Sequence, residues 1–137
     1  DWFNREGYPF WPFWENVRAW WAVRDLPNVM MLHYQNLKND MEGEMRKLGE
    51  FLECEVDESK WEEMVLHCTF DYMKHNAQES APLQGSLWAG GAETFVNKGT
   101  NDRWRDTLTE EDVAMYETRA DEELGADCAK WLATGEM

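Results

Sequence analysis

Residues 97–105 read Asn-Lys-Gly-Thr-Asn-Asp-Arg-Trp-Arg and gather Lys98, Arg103 and Arg105 within a chain that is otherwise strongly acidic. Gly99 lets the backbone approach a ligand closely or take a positive φ. Successive N–H groups in such a turn form an anion-binding concavity. The chemistry available here is recognition of a phosphate-like anion, with Trp104 expected to anchor the loop against the core. A lysine beside a glycine is by itself a weak signal, because glycine also marks ordinary surface turns. His33, His67 and His75 lack metal-ligand spacing and no His-Glu-x-x-His occurs, so no metal site is expected. On residue type alone, Tyr34 and Phe70 read as core aromatics and Cys68 as a small buried apolar side chain.

The balance of the chain limits its partners. Thirteen lysines and arginines against 28 acidic residues give a formal charge of −15. That surface repels nucleic acid and anionic membrane, so an anion site has to be local. Cys54, Cys68 and Cys128 are far apart, which fits reduced thiols and a cytoplasmic setting. No apolar run approaches the ~20 residues needed to cross a bilayer, and no signal-peptide pattern is present. At 137 residues, 43% hydrophobic and with nine tryptophans, the chain is long enough for one packed domain. Seven of the first fourteen residues are Trp, Phe or Tyr, more apolar bulk than one exposed loop keeps in water.

The elements that must position these groups follow from spacing. Residues 13–24 read as a helix with Phe13, Val17, Trp20, Trp21 and Arg24 on one side, ended by Leu26-Pro27-Asn28. Residues 29–34 (VMMLHY) form a short apolar run expected to be a strand buried on both faces of a parallel sheet. Asn39 or Asp40 caps a helix bearing Met41, Met45, Leu48 and Leu52. Ser59-x-x-Glu62 is a capping-box signature opening a helix with Trp61, Met64, Val65 and Cys68. Residues 77–95, rich in Ala, Gly, Ser and Gln, read as a long connection of the mobile-lid kind. Thr109-x-x-Asp112 opens a helix with Val113, Tyr116 and Leu124, and a short helix covers 127–132. One strand among so many helices leaves its backbone groups without partners. The expected fold is therefore α/β, with the other strands supplied upstream or by another chain.

Four blocks carry a family resemblance: FWENVRAWW at 13–21, LHYQNLKND at 32–40, HCTFDYMKHN at 67–76 and NKGTNDRWR at 97–105. In this order and at these separations they resemble the cytosolic-type sulfotransferases, which move a sulfuryl group from 3′-phosphoadenosine 5′-phosphosulfate (PAPS) to a hydroxyl or amine and release 3′,5′-adenosine bisphosphate (PAP). The resemblance implies the C-terminal part of a P-loop-type, nucleotide-kinase-like parallel-sheet fold, mostly helical in this portion. It implies that Tyr34 reaches the adenine from the strand end, that Cys68 stands where the family has a threonine near the base, that Phe70 stacks on the adenine and that Met73 adds apolar contact. Asn97, Lys98 and Gly99 would hold the 3′-phosphate. The segment 105–112 is similar to the family's dimer-contact motif through Arg105, Thr109 and Asp112, with Glu110 in place of an apolar valine; a helix cap explains Thr109 and Asp112 equally well.

The late motif departs from the family's Arg-Lys-Gly-x-x-Gly-x-Trp-Lys. Asn97 replaces an arginine and loses a charge-assisted phosphate contact. Asp102 replaces the second glycine; it tolerates a left-handed turn but adds negative charge. Arg105 replaces the final lysine. The family's Tyr-Pro-Lys-Ser-Gly-Thr phosphate loop and its general-base histidine find no counterpart here, and no G-x-x-x-x-G-K-[ST] occurs. No catalytic residue is therefore assigned, and the chain reads as beginning after those elements. Two functional readings stay open. One is the adenine and 3′-phosphate side of a sulfotransferase site, acting with a small-molecule acceptor in a longer protein. The other is a non-catalytic acidic interaction domain derived from such an enzyme.

Overall fold

A computed structural model describes residues 12–137; the aromatic opening through Trp11 lies outside the described residues. In chain order the helices are α1 (Phe13–Ala22), α2 (Tyr34–Asn39), α3 (Met41–Phe51), α4 (Trp61–His67), α5 (Phe70–His75), α6 (Ala77–Ser80), α7 (Ala92–Phe95), α8 (Glu110–Leu124) and α9 (Ala126–Thr134). Short 3-10 turns occupy Glu58–Lys60, Pro82–Gly85 and Arg103–Asp106. The described residues divide into two compact units, 12–51 with 103–137 and 52–102.

In the first unit α1 packs on α8, α2 on α3, and α8 on α9. Trp14, Ala120, Cys128 and Trp131 are its buried apolar positions among the described residues. Trp14 meets Tyr116 at a ring separation of 5.6 Å, and Trp21 meets Trp131 at 5.5 Å. The Arg18 guanidinium binds both the backbone oxygen and the carboxylate of Glu123, tying α1 to the last turn of α8. Burial beside Trp14 pushes the Tyr116 hydroxyl above its ordinary pKa. α8 starts with a complete capping box: the Thr109 hydroxyl accepts from the Asp112 N–H at 3.2 Å, and the Asp112 carboxylate accepts from the Thr109 N–H at 3.0 Å. The Thr109 hydroxyl, which also donates to the Asp112 carboxylate at 2.7 Å, and then the Thr109 N–H hold the Asp112 carboxyl below its usual value. At the start of α3, Asp40 is the capping residue, accepting from the Gly43 N–H at 2.9 Å.

The strand expected over 29–34 does not form. Residues 29–33 run without regular structure and Tyr34 already begins α2. A strand needs a ladder of partners, and among the described residues the backbone groups of Met30, Met31 and Leu32 have none. A groove of about 500 Å³, lined among others by Val17, Trp20, Met30, Leu32, Leu48 and Phe51, lies against this run. The end of the run is fixed to α9. His33 Nδ1 accepts from the Gln35 N–H at 3.2 Å, so its Nε2 carries the proton and donates to the Leu132 carbonyl at 3.1 Å. Asn36 Nδ2 donates to the Gly135 carbonyl at 3.0 Å. His33 is therefore a cap and a strut, with both ring nitrogens engaged.

In the second unit α5, α6, the Pro82–Gly85 turn and α7 gather around Ala77, Ala81, Ala92 and Val96, with Phe70 and Met73 packed against them, while α4 packs on α5 and the Glu58–Lys60 turn. Small residues at these positions let four short elements approach closely, since each helix alone is too short to persist in water. The segment 77–95 is thus built from α6, a 3-10 turn and α7 rather than from unstructured chain. The capping expected of Ser59 belongs to Asp57, which accepts from the Ser59 N–H at 3.0 Å and opens a 3-10 turn ahead of α4. No described helix is long and apolar enough to cross a membrane.

Candidate functional site

Helix α5 organises the chemistry of the second unit. Thr69 starts it, accepting from the Tyr72 N–H at 3.2 Å while its own hydroxyl donates to the Leu66 carbonyl at 2.7 Å. That pair of hydrogen bonds turns the chain sharply between α4 and α5. It leaves Cys68 exposed at the C-cap of α4, not buried as its residue type suggested. Phe70 follows as the first helical residue and Met73 faces the small-residue core.

Gly99 meets Phe70. A Cβ placed on Gly99 would lie 2.3, 2.6 and 2.7 Å from Cδ2, Cε2 and Cγ of that ring. One near carbon with its two bonded neighbours only slightly farther puts the position above the ring face, since an in-plane approach would leave the neighbours much more distant. Gly99 also has φ +60°, in the left-handed region. Both facts require glycine here: no side chain fits over the ring, and an L-residue resists the dihedral. Asp102, three residues on, has φ +61°, so the position that is glycine in the family motif keeps its left-handed turn with an aspartate.

Lys98 is exposed and makes no ion pair or side-chain bond among the described residues; Asn97 is exposed too. The two stand beside the ring-backed Gly99 on an open surface. Their donors, an ammonium, an amide and backbone N–H groups, suit an anion, and the backbone at Gly99 lies against the Phe70 ring with no room for a side chain between them. The structure thus brings Phe70, Gly99 and Met73 together in one unit with Cys68, Asn97 and Lys98. Tyr34 belongs to the other unit, where it is 58% exposed at the start of α2.

Trp104 does not anchor its loop in a core. It is 40% exposed and carries the Arg105 guanidinium over its ring at 4.5 Å. Thr109 and Asp112 serve the cap of α8. Among the described residues no cluster of His, Cys, Asp and Glu could hold a metal. Spacing gave no hint of Lys74, whose ammonium donates to the carbonyls of Glu93, at 3.1 Å, and Val96. Those partners lie 19 and 22 residues away in sequence, beyond any local pattern.

The model of the sulfotransferase domain family matches residues 1–127. Cytosolic sulfotransferase 12 of Arabidopsis thaliana is 37% identical over 103 residues, covering 72% of this chain and 31% of its own length. Sulfotransferase 2A6 of Rattus norvegicus is 27% identical over 109 residues, covering 80% and 38%. Among solved structures, mouse sulfotransferase SULT7A1 complexed with PAP superposes with a TM-score of 0.79 at 19% identity, over 96% of this chain and 48% of that one. Retinol dehydratase in complex with androsterone and PAP gives 0.71 at 28% identity, over 90% and 36%. The chain belongs to the sulfotransferase family, of the cytosolic type. It spans about a third of the length of the curated relatives it matches, and its mostly helical described part is a portion of the sulfotransferase fold.

Proposed function

We propose that this chain supplies the adenine and 3′-phosphate side of a PAPS site, in a protein that transfers a sulfuryl group to a hydroxyl or amine acceptor. The observation that carries the reading is the seating of Gly99 on the Phe70 ring beside the exposed, unpaired Lys98. Both solved relatives are complexes with PAP, and the donor set here fits its 3′-phosphate. Phe70 offers a half-buried aromatic surface to a purine, with Cys68 and Met73 beside it. Lys98, Asn97 and the backbone N–H groups around Gly99 take the phosphate. Bound PAPS would bring the sulfuryl group itself; the described residues bind and orient. His33 has both ring nitrogens engaged, Nδ1 by the Gln35 N–H and Nε2 by the Leu132 carbonyl, and positions backbone. The adenine role of Tyr34 rests on its sequence motif alone, as does a homodimer through Arg105, Thr109 and Asp112. The segment 77–95, with Leu83 and Leu87 about 70% exposed, is proposed as the movable edge of the acceptor side.

Calorimetric titration of the folded chain with 3′,5′-adenosine bisphosphate tests the reading, with adenosine 5′-phosphate as the ligand lacking the 3′-phosphate. Tighter binding of the bisphosphate, weakened in Lys98→Met, supports it. A second reading, an acidic interaction domain without nucleotide binding, is favoured by Asn97 and by the negative charge of Asp102 inside the motif. No heat at millimolar bisphosphate selects that one.

A further inference from the structure

Lys74 and Phe70 are one turn apart on α5 and share a face. Phe70 lies under Gly99, while the Lys74 ammonium donates to the carbonyls of Glu93 and Val96. Those carbonyls close the short helix α7, whose last turn cannot satisfy them internally. A cation there also complements the negative end of the helix. Asn97, Lys98 and Gly99 issue directly from this point, and the Asn97 N–H turns back to the Phe95 carbonyl at 3.0 Å. One helix therefore holds both ends of the segment 93–99, by a charge at one end and a ring at the other.

Lys74 is half-buried and has no carboxylate partner among the described residues, although the chain carries 28 acidic groups. Its charge is committed to backbone oxygens. Two charge-assisted bonds to carbonyls fix direction as well as distance, which a packed methylene chain would not do.

We propose that Lys74 is a positioning residue for the 3′-phosphate corner: by holding the carbonyls of Glu93 and Val96 it sets Lys98 and Gly99 in place over Phe70. The inference rests on the nucleotide-site reading for its biological meaning, but the geometry it asserts is measurable without ligand. In the proton NMR spectrum of the whole chain, one Gly99 α-proton lies over an aromatic face and resonates upfield of its ordinary position. In Lys74→Met, which keeps the stem and removes the donors, that resonance returns towards its ordinary position. The Ala77 and Ala81 methyl signals, which report the core of the unit, stay where they are. Lys74→Arg, still able to donate to two carbonyls, restores the upfield line. An unmoved Gly99 signal in Lys74→Met overturns the proposal. Joint loss of the Gly99, Ala77 and Ala81 signals also overturns it, because Lys74 is then a general structural residue. Titration adds the functional arm: Lys74→Met lowers affinity for 3′,5′-adenosine bisphosphate about tenfold and leaves that for adenosine 5′-phosphate unchanged. A wild-type chain that binds neither ligand sinks the nucleotide reading, while the Gly99 signal still decides the role of Lys74.

Discussion

Replacing Gly99 by alanine sets a methyl group into occupied space. The new carbon would stand 2.3 Å from Phe70 Cδ2, over 1 Å inside the ~3.5 Å at which carbons begin to attract. It would also sit at φ +60°, where an L-residue is disfavoured by roughly 1–2 kcal/mol. Overpacking of a formed contact adds about 1–3 kcal/mol, so a rigid site would lose roughly 2–5 kcal/mol by adding these two ranges. Relaxation is available, because the loop after Val96 can lift from the ring. Lifting lowers the loss of stability and transfers it to binding, since Lys98 then leaves its place. The assay is a double-mutant cycle in urea with Phe70→Ala, repeated as a titration with 3′,5′-adenosine bisphosphate. With the ring gone the clash term goes too, so Gly99→Ala is expected to cost about 1–3 kcal/mol less in the Phe70→Ala background. In the otherwise native chain it weakens the bisphosphate at least ~10-fold. Additivity within about 0.5 kcal/mol, together with unchanged affinity, would refute the reasoning that Gly99 exists to meet Phe70.

Asp102→Gly removes a left-handed non-glycine residue and a negative charge from the same turn, so bisphosphate affinity rises, while the melting temperature changes little because the gain is offset by glycine's greater freedom when unfolded. Of the three thiols, Cys54 and Cys68 are exposed and react quickly with Ellman's reagent. Cys128 is 1% exposed and burial pushes its thiol pKa up, so it reacts only on unfolding; bound bisphosphate shields Cys68 and leaves Cys54 reactive. Thr109→Ala removes the cap of α8 and lowers stability by about 1 kcal/mol, read from the urea midpoint. The Asp112 carboxyl lies below its ordinary value through its bonds to Thr109. Its contribution is therefore complete above about pH 4 and fades as the pH falls further. Thr109→Ala accordingly shows its deficit at neutral pH and a smaller one in acid.

What the sequence could tell was what neighbours in sequence decide. The box of Thr109 and Asp112 spans three residues and stands in the structure as written. The apolar spacing after Phe13 gives α1 for the same reason. The strand over 29–34 failed because its existence depends on ladders from elsewhere; locally, the side chain of His33 was free to cap a helix instead. Ser59 lost the cap of its segment to Asp57, two residues upstream, a competition between adjacent acceptors that composition cannot settle. Cys68 was misread as buried because its exposure follows from the sharp turn at Thr69. The late motif allowed a positive φ at Gly99, which the structure has, but the Phe70 ring beneath it was not legible, because the two residues lie far apart in sequence. Lys74 was illegible, since nothing in a lysine between Met73 and His75 announces carbonyls twenty residues away.

With three consecutive peptide units unpaired among the described residues, the run Met30–Leu32 is a template to which another extended chain can add by backbone bonding alone, the first step towards fibrils. None of those three side chains carries a charge to interrupt the addition. Restraint comes from the whole molecule: at −15, copies repel before their edges meet. Salt shortens that repulsion to a reach of about 8 Å at 0.15 M. Colloidal stability of this chain should thus decline as salt is added. Met31→Lys, a gatekeeper in the middle of the run, should delay the clouding without disturbing the helices on either side.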